Sequence, residues 1–217
     1  NIDDAPHLSC VGSSAERIRV LLDTYRNNNI HRIVALRGDL PSGMQAPGDF
    51  RYASELVEFI RKETGDFFTI EVAAYPEVHP QAQSAEHDLI NFKRKVDAGA
   101  NSAITQYFYN IDAYRYFVDA CEQQGIDIPI IPGIMPINNY AQLARFSAGC
   151  GAEIPRWLRK KLEAFYDDTA SMTAFTVDFL TDFTQQLIDL GVPGIHFYTM
   201  NKVDPTLTIC DRLGLFK

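Results

Sequence analysis

Along this chain, short runs of β-branched and aromatic residues alternate with longer stretches whose apolar positions recur every three to four residues. The short runs predict strands over Pro6–Cys10, Arg32–Leu36, Phe68–Ala74, Ser102–Tyr107, Ile128–Pro132 and Gly194–Tyr198. Between them, helices are predicted over Ala15–Asn28, Tyr52–Thr64, Ala85–Ala98, Ile111–Gln124, Tyr140–Gly149 and Thr169–Leu190. In the first, Ile18, Leu21, Leu22 and Tyr25 mark one apolar face, and Ser13 or Ser14 followed by Glu16 supplies an N-terminal cap. Gly99, Gly125 and Gly191 stand where helices should stop before the next strand.

Strict strand–helix alternation implies parallel strands with helical crossovers, either an α/β barrel or an open doubly wound sheet. No GxGxxG follows the first strand, as a dinucleotide-binding open sheet would have. Polar residues instead follow several different strands: Arg37-Gly38-Asp39, Glu77 with His79, Gln106, and Tyr198. A barrel gathers its chemistry at strand C-termini in this way, so the expected fold is α/β, a (β/α)8 TIM barrel. Six strand–helix units are legible, and the first strand begins almost at residue 1. A closed barrel needs eight, so the first two βα units are expected to be missing from this chain. Residues 1–217 then form a single, N-terminally incomplete barrel domain. Pro41 to Gly48 reads as a flexible loop. An extra helix is expected over roughly Pro155–Phe165, with Pro155 at its first position. Its Arg156–Lys161 run reads as an amphipathic helix with Trp157 packed inward, or alternatively as a basic membrane patch.

The net charge of -8 argues against general nucleic-acid binding. The longest apolar stretches, such as Ile128 to Met135, are too short for a membrane span, and no leader opens the chain. Cys10, Cys121, Cys150 and Cys210 are scattered, without CxxC spacing, and read as reduced thiols of a cytoplasmic protein. His7, His79 and His196 have no ligand spacing with carboxylates, so no metal is expected. Neither a nucleophile elbow nor a Walker loop anchors a hydrolase or NTPase reading.

Three local features can carry chemistry. Asp88, Asn91 and Arg94 or Lys95 are three to four residues apart and share a helical face. That face is either a solvated, salt-bridged surface or a grip for the hydroxyls and phosphates of a nucleotide. Arg37-Gly38-Asp39 is either an ordinary strand-end turn or a place where a ligand meets the backbone at Gly38 and a carboxylate at Asp39. Gln106 lies within an apolar strand pattern; its amide is satisfied by the core or points into a pocket.

Several segments together resemble the bacterial methylenetetrahydrofolate reductase family. They are Ala5-Pro6-His7-Leu8, His31 to Asp39, Val72 to Pro80, Leu89 to Gln106, and Phe197-Tyr198-Thr199-Met200-Asn201. The likeness runs from the first residues to the last, in order. It implies a (β/α)8 barrel that binds FAD at strand C-termini and works by a ping-pong reaction. NADH or NADPH reduces the flavin; methylenetetrahydrofolate then takes its place and becomes 5-methyltetrahydrofolate, which feeds methionine synthesis. A homo-oligomer is implied as well.

By the same resemblance, His7, Arg37, Gly38, Asp39, Ala53, Tyr75, His79, Asp88, Asn91, Arg94 and Lys95 look like the FAD shell. Asp39 should lie near flavin and folate, where its charge would disfavour an anionic reduced flavin. Gln106, Gln142 and Lys202 match positions contacting folate or the nicotinamide nucleotide, and Phe146 matches an aromatic that stacks on either. Two departures stand out. The family's general-acid glutamate belongs to the first barrel strand and is not in this chain; Glu71 and Glu77 match other positions. Lys202 stands where the family usually has arginine, keeping the charge and losing the planar fork. The competing readings are a non-catalytic flavin-binding remnant, or another FAD barrel such as a proline-dehydrogenase-like enzyme.

Overall fold

The strand–helix alternation is realised nearly as the pattern predicts. The structure, a computed structural model, describes residues 4–39 and 48–215. The loop expected over Pro41–Gly48 therefore lies, up to residue 47, outside the described residues. Elements follow in the order β1 (His7–Ser9), α1 (Ala15–Asn27), β2 (Arg32–Leu36), α2 (Ala53–Thr64), β3 (Thr69–Ala74), α3 (Ala85–Asp97), β4 (Ser102–Thr105), α4 (Ile111–Gln123) and β5 (Ile130–Ile131). They continue with β6 (Gly133–Ile134), α5 (Tyr140–Cys150), α6 (Arg156–Phe165), α7 (Thr169–Asp189), β7 (His196–Phe197) and α8 (Thr206–Arg212).

The chain groups into two compact units interleaved in sequence: residues 1–74, 86–104 and 121–129, and residues 75–85, 105–120 and 130–217. In the first, β1, β2, β3 and β4 are neighbours in that order. β1 and β2 are parallel with Leu8 opposite Ala35, and β2 and β3 are parallel with Ala35 opposite Val72. Ile33, Ala35, Ile70 and Val72 are fully buried, as are Ile18, Leu56 and Ile60 from the helices α1 and α2. Such strands, apolar on consecutive positions, are what a sheet covered by helices demands. Ser14 caps α1 by accepting the Arg17 N–H at 3.3 Å. Asn101 Oδ1 accepts the Ile70 N–H at 2.8 Å and a guanidinium N–H of Arg61 at 2.6 Å, fixing the entry to β4.

In the second unit β6 and β7 pair in parallel, with Gly133 opposite His196 and Ile134 opposite Phe197. Its core is built around Phe108, which stacks on Tyr114 at 5.5 Å and meets Phe183 at 5.6 Å. Leu158, Leu162, Leu180 and Leu187 complete it from α6 and α7. No helix of the described residues is long and apolar enough to cross a membrane.

Four local expectations are corrected. β4 ends at Thr105, two residues early, because the Tyr198 hydroxyl donates to the Thr105 carbonyl at 2.8 Å and Gln106 Oε1 accepts the Tyr107 N–H at 3.0 Å. Gln106 thus follows the strand rather than lying inside it. The run predicted over Ile128–Pro132 divides at Pro132, which has no N–H to donate; its carbonyl accepts from His196 instead, and β6 begins at the next residue. Pro155 is the N-cap of α6, one position before the helix, and Trp157 is 52% exposed. Leu158 and Leu162 supply the buried face, while the Trp157 ring lies edge-on to Phe179 at 5.3 Å. α8 was not predicted: at seven residues it shows too few periods to register in the pattern.

Candidate substrate and cofactor sites

Within the first unit, the turn after β2 is set by close packing. Gly38 has φ +81°, and a Cβ there would lie 2.0 Å from Ser9 Oγ and 2.9 Å from Val11 Cγ1. Ser9 Oγ donates to the Arg37 carbonyl at 2.9 Å, and the Val11 N–H donates to the same oxygen at 2.8 Å. Arg37 is half-buried; its Nε donates to the Gly38 carbonyl at 3.0 Å, and Nη2 lies 3.9 Å from the Asp39 carboxylate. Asp39 itself is fully exposed. His7 is exposed on β1, and Ala53 is the first residue of α2.

On α3 the shared face divides into two kinds of cation. Arg94 is exposed and donates to the neutral Asn91 Oδ1 at 3.0 Å, a partner that leaves its charge uncancelled. Lys95 turns inward: Nζ donates to the Ala73 carbonyl and lies 5.4 Å from the Phe92 ring centroid. The side chain as a whole is part-exposed, but the ammonium is the enclosed end, and desolvation acts on the charge. Burial therefore pulls the ammonium down from its ordinary value to about 8, opposed by the nearby Asp88 carboxylate.

Within the second unit the functional candidates line two clefts. The larger, about 300 Å3 of open-sided space, is lined by Met135, Asn138, Gln142, Phe146, Met200 and Lys202 among others. Asn139 caps α5 by accepting the Gln142 N–H at 2.9 Å, which fixes the first turn of the helix. Phe146 follows one turn later, with Arg145 5.9 Å from its ring centroid. Lys202 arrives after Met200 and Asn201, both in the left-handed region at φ +53° and +59°, and its N–H donates to the Thr199 carbonyl at 3.0 Å.

The smaller cleft, about 180 Å3 of open-sided space, is lined by Tyr75, Glu77, Gln106, Tyr107, Cys150 and Gly151 among others. Gln106 Oε1 is engaged with the Tyr107 N–H, so its NH2 is the end that can address a ligand. Tyr107 is held by Ser147 Oγ at 3.0 Å and Cys150 Sγ at 3.5 Å, and burial pushes its phenol above the ordinary tyrosine value. Tyr75 and His79 meet edge-to-face at 4.5 Å. His79 Nδ1 accepts the Gln81 N–H at 3.0 Å.

Glu77 is the residue that sequence reasoning set aside and the structure brings forward. Its Oε2 accepts the Glu153 N–H at 2.7 Å, while Oε1 is enclosed without a partner. Burial pushes its carboxyl up to about 6; the Glu153 N–H opposes that shift, and the Glu153 charge adds to it. The signal available beforehand was a carboxylate inside an otherwise apolar and aromatic turn, Tyr75-Pro76-Glu77-Val78. Glu71, by contrast, is a buried structural carboxylate, 3.2 Å from Arg32 and 3.4 Å from Ser102 Oγ. Among the described residues no group of three or more His, Cys, Asp or Glu side chains could hold a metal.

Residues 1–214 match the family model of methylenetetrahydrofolate reductase. The chain belongs to this family. It is 44% identical over 214 residues to the 5,10-methylenetetrahydrofolate reductase of Escherichia coli (strain K12), covering 99% of this chain and 71% of that one. Methylenetetrahydrofolate reductase (NADH) 1 of Arabidopsis thaliana is 38% identical over 227 residues, covering 99% of this chain and 38% of its own length. A solved structure of a Clostridium thermocellum protein, described as binding two copies of 5-methyl-5,6,7,8-tetrahydrofolic acid, has the same fold. Its TM-score is 0.59 at 18% identity, over 94% of this chain and 69% of that one. Membership gives the clefts of the second unit a frame: Gln142, Phe146 and Lys202, named from the resemblance, line one of them, and Gln106 lines the other.

Proposed function

We propose that this chain is the catalytic domain, of (β/α)8-barrel type, of a cytoplasmic reductase converting 5,10-methylenetetrahydrofolate to 5-methyltetrahydrofolate. The reductant is NADH or NADPH, the protein works as a homo-oligomer, and its product supplies methyl groups for methionine synthesis. The observation that carries the reading is the convergence of Gln142, Phe146 and Lys202 on one cleft from chain positions up to 60 residues apart. An aromatic face, an amide and a cation suit both a pterin and a nicotinamide nucleotide, each a planar ring bearing an anionic tail.

FAD is the proposed cofactor. In the first unit, His7, Arg37, Gly38, Asp39, Ala53, Asp88, Asn91, Arg94 and Lys95 are proposed to hold it. The fit rests on the Arg94 charge, left uncancelled by its amide partner and suited to phosphate oxygens. When bound, the flavin supplies two-electron transfer between nicotinamide nucleotide and folate, each substrate in turn. The chain's own residues do the rest: Phe146 offers a stacking face, Lys202 attracts the anionic tail, and Gln106 and Gln142 orient ring edges. Asp39, with its solvent-facing carboxylate, is the proposed electrostatic tuner. The proton for opening the imidazolidine ring is assigned to no residue of this chain.

An anaerobic absorbance titration tests the reading. The purified full-length protein should be yellow, bleach on addition of NADH or NADPH, and recolour on addition of methylenetetrahydrofolate. Bleaching without recolouring would favour a flavin-binding protein without reductase activity. Bleaching by proline in place of the nucleotide would favour a proline-dehydrogenase-like enzyme. Protein that takes up no FAD would overturn the cofactor.

A further inference from the structure

Resting on the reductase reading, we infer that Tyr107 and Ser147 are positioning residues: the hydrogen bond between their side chains sets the rotation of α5 and so aims Phe146 into the larger cleft. α5 carries both Gln142 and Phe146, yet only Leu143 and Ser147 of its 11 residues are buried. These two are four apart and share one face of the helix. Leu143 fills space without choosing a partner, because apolar contact is not directional. Ser147 has a definite one: its Oγ lies 3.0 Å from the Tyr107 hydroxyl, and both residues are buried. Cys150, three residues on, donates its S–H to the same phenol oxygen at 3.5 Å. Successive helical residues are turned by about 100°, so fixing the direction of Ser147 fixes that of Phe146 beside it.

The other end of the brace is itself anchored. Tyr107 follows the end of β4, and its ring centroid lies 5.8 Å from that of Tyr109 and 6.2 Å from that of Tyr198. Both neighbours are tied to the backbone: the Tyr109 hydroxyl donates to the Met135 carbonyl at 3.0 Å, and the Tyr198 hydroxyl to the Thr105 carbonyl at 2.8 Å. Met135 lines the larger cleft as well. A stacking platform works only at a fixed distance and tilt from the groups that hold the rest of the ligand, here Gln142 and Lys202. Two apolar groups of the same shape would serve stability about as well as the buried hydroxyl pair, so what the pair adds is direction.

The test uses the full-length, flavin-replete protein carrying Tyr107→Phe, Ser147→Ala, or both, with steady-state kinetics and thermal unfolding measured on each. Each single variant orphans one buried hydroxyl and should unfold at a lower temperature; the double variant orphans neither and should regain most of that loss. The KM for methylenetetrahydrofolate and for the nicotinamide nucleotide should rise by about threefold to tenfold in all three, the affinity equivalent of one neutral hydrogen bond. Added to Phe146→Ala, Tyr107→Phe should raise KM no further, because the residue it aims is gone. Wild-type KM in the double variant would overturn the proposal and leave the pair as core packing. An effect of Tyr107→Phe that persists undiminished beside Phe146→Ala would overturn it too. Should a single variant fail to fold, the double variant carries the KM comparison; a double variant that also fails would sink the proposal by making the pair structural. If the wild-type protein reduces no methylenetetrahydrofolate, the reductase reading falls first and this proposal with it.

Discussion

Lys95 Nζ donates to the carbonyl oxygen of Ala73, one residue before the end of β3, so a helix-borne cation is tied to the strand backbone. Four residues earlier on the same helix, Asn91 accepts from Arg94, which stays in solvent. Spacing alone makes Arg94 and Lys95 interchangeable; their surroundings give them different charges to work with.

That difference is measurable by titration. Carbon NMR of the lysine Cε should show Lys95 with a midpoint near pH 8, its signal absent in Lys95→Met. The folded pKa is depressed, so this group's contribution to stability is present above its unfolded value and lost as pH falls through 8. Denaturation of wild type relative to Lys95→Met should favour wild type increasingly between pH 8 and 10.5, by about 2 kcal/mol after discounting for partial exposure. A midpoint at the ordinary lysine value would refute the enclosed ammonium.

Gly38→Ala should destabilise the protein by about 2–4 kcal/mol in urea unfolding, combining a left-handed backbone with overpacking. The added methyl meets Ser9 Oγ at 2.0 Å and Val11 at 2.9 Å. Adding Ser9→Gly should recover only part of this, because φ +81° and Val11 remain. Full recovery would locate the whole effect in the serine.

Thr105 is fully buried, and its Oγ1 accepts the Gly133 N–H at 2.9 Å. Thr105→Val keeps the shape but orphans that N–H, and should cost about 1–3 kcal/mol. Thr105→Ser keeps the acceptor and should cost about 1 kcal/mol for the lost methyl. Equal costs for the two variants would mean that the hydroxyl contributes nothing.

Phe146→Ala should raise KM for methylenetetrahydrofolate by about tenfold, the loss of one aromatic stacking contact, and Phe146→Tyr by far less. Lys202→Met should raise KM and also flatten the dependence of KM on ionic strength, because the screened attraction is gone. Steady-state kinetics at two salt concentrations separates the two. Wild-type KM in both variants would remove the larger cleft from the substrate site.

The sequence by itself determined the order and type of nearly every element. Periods of two and three to four residues are set by local backbone geometry, and glycines mark helix ends because few other residues adopt positive φ; Gly99, Gly125 and Gly191 all do. It also singled out Gln142, Phe146 and Lys202, through motif resemblance rather than chemistry. Only the tertiary structure decided the rest. Where β4 ends depends on a tyrosine hydroxyl 93 residues away, which no local window contains. Trp157 is exposed because Leu158 and Leu162 already fill the inner face of α6. Glu77 and Lys95 carry shifted proton affinities because desolvation is a property of surroundings brought together by folding, and those surroundings cannot be read from either residue's neighbours in the chain.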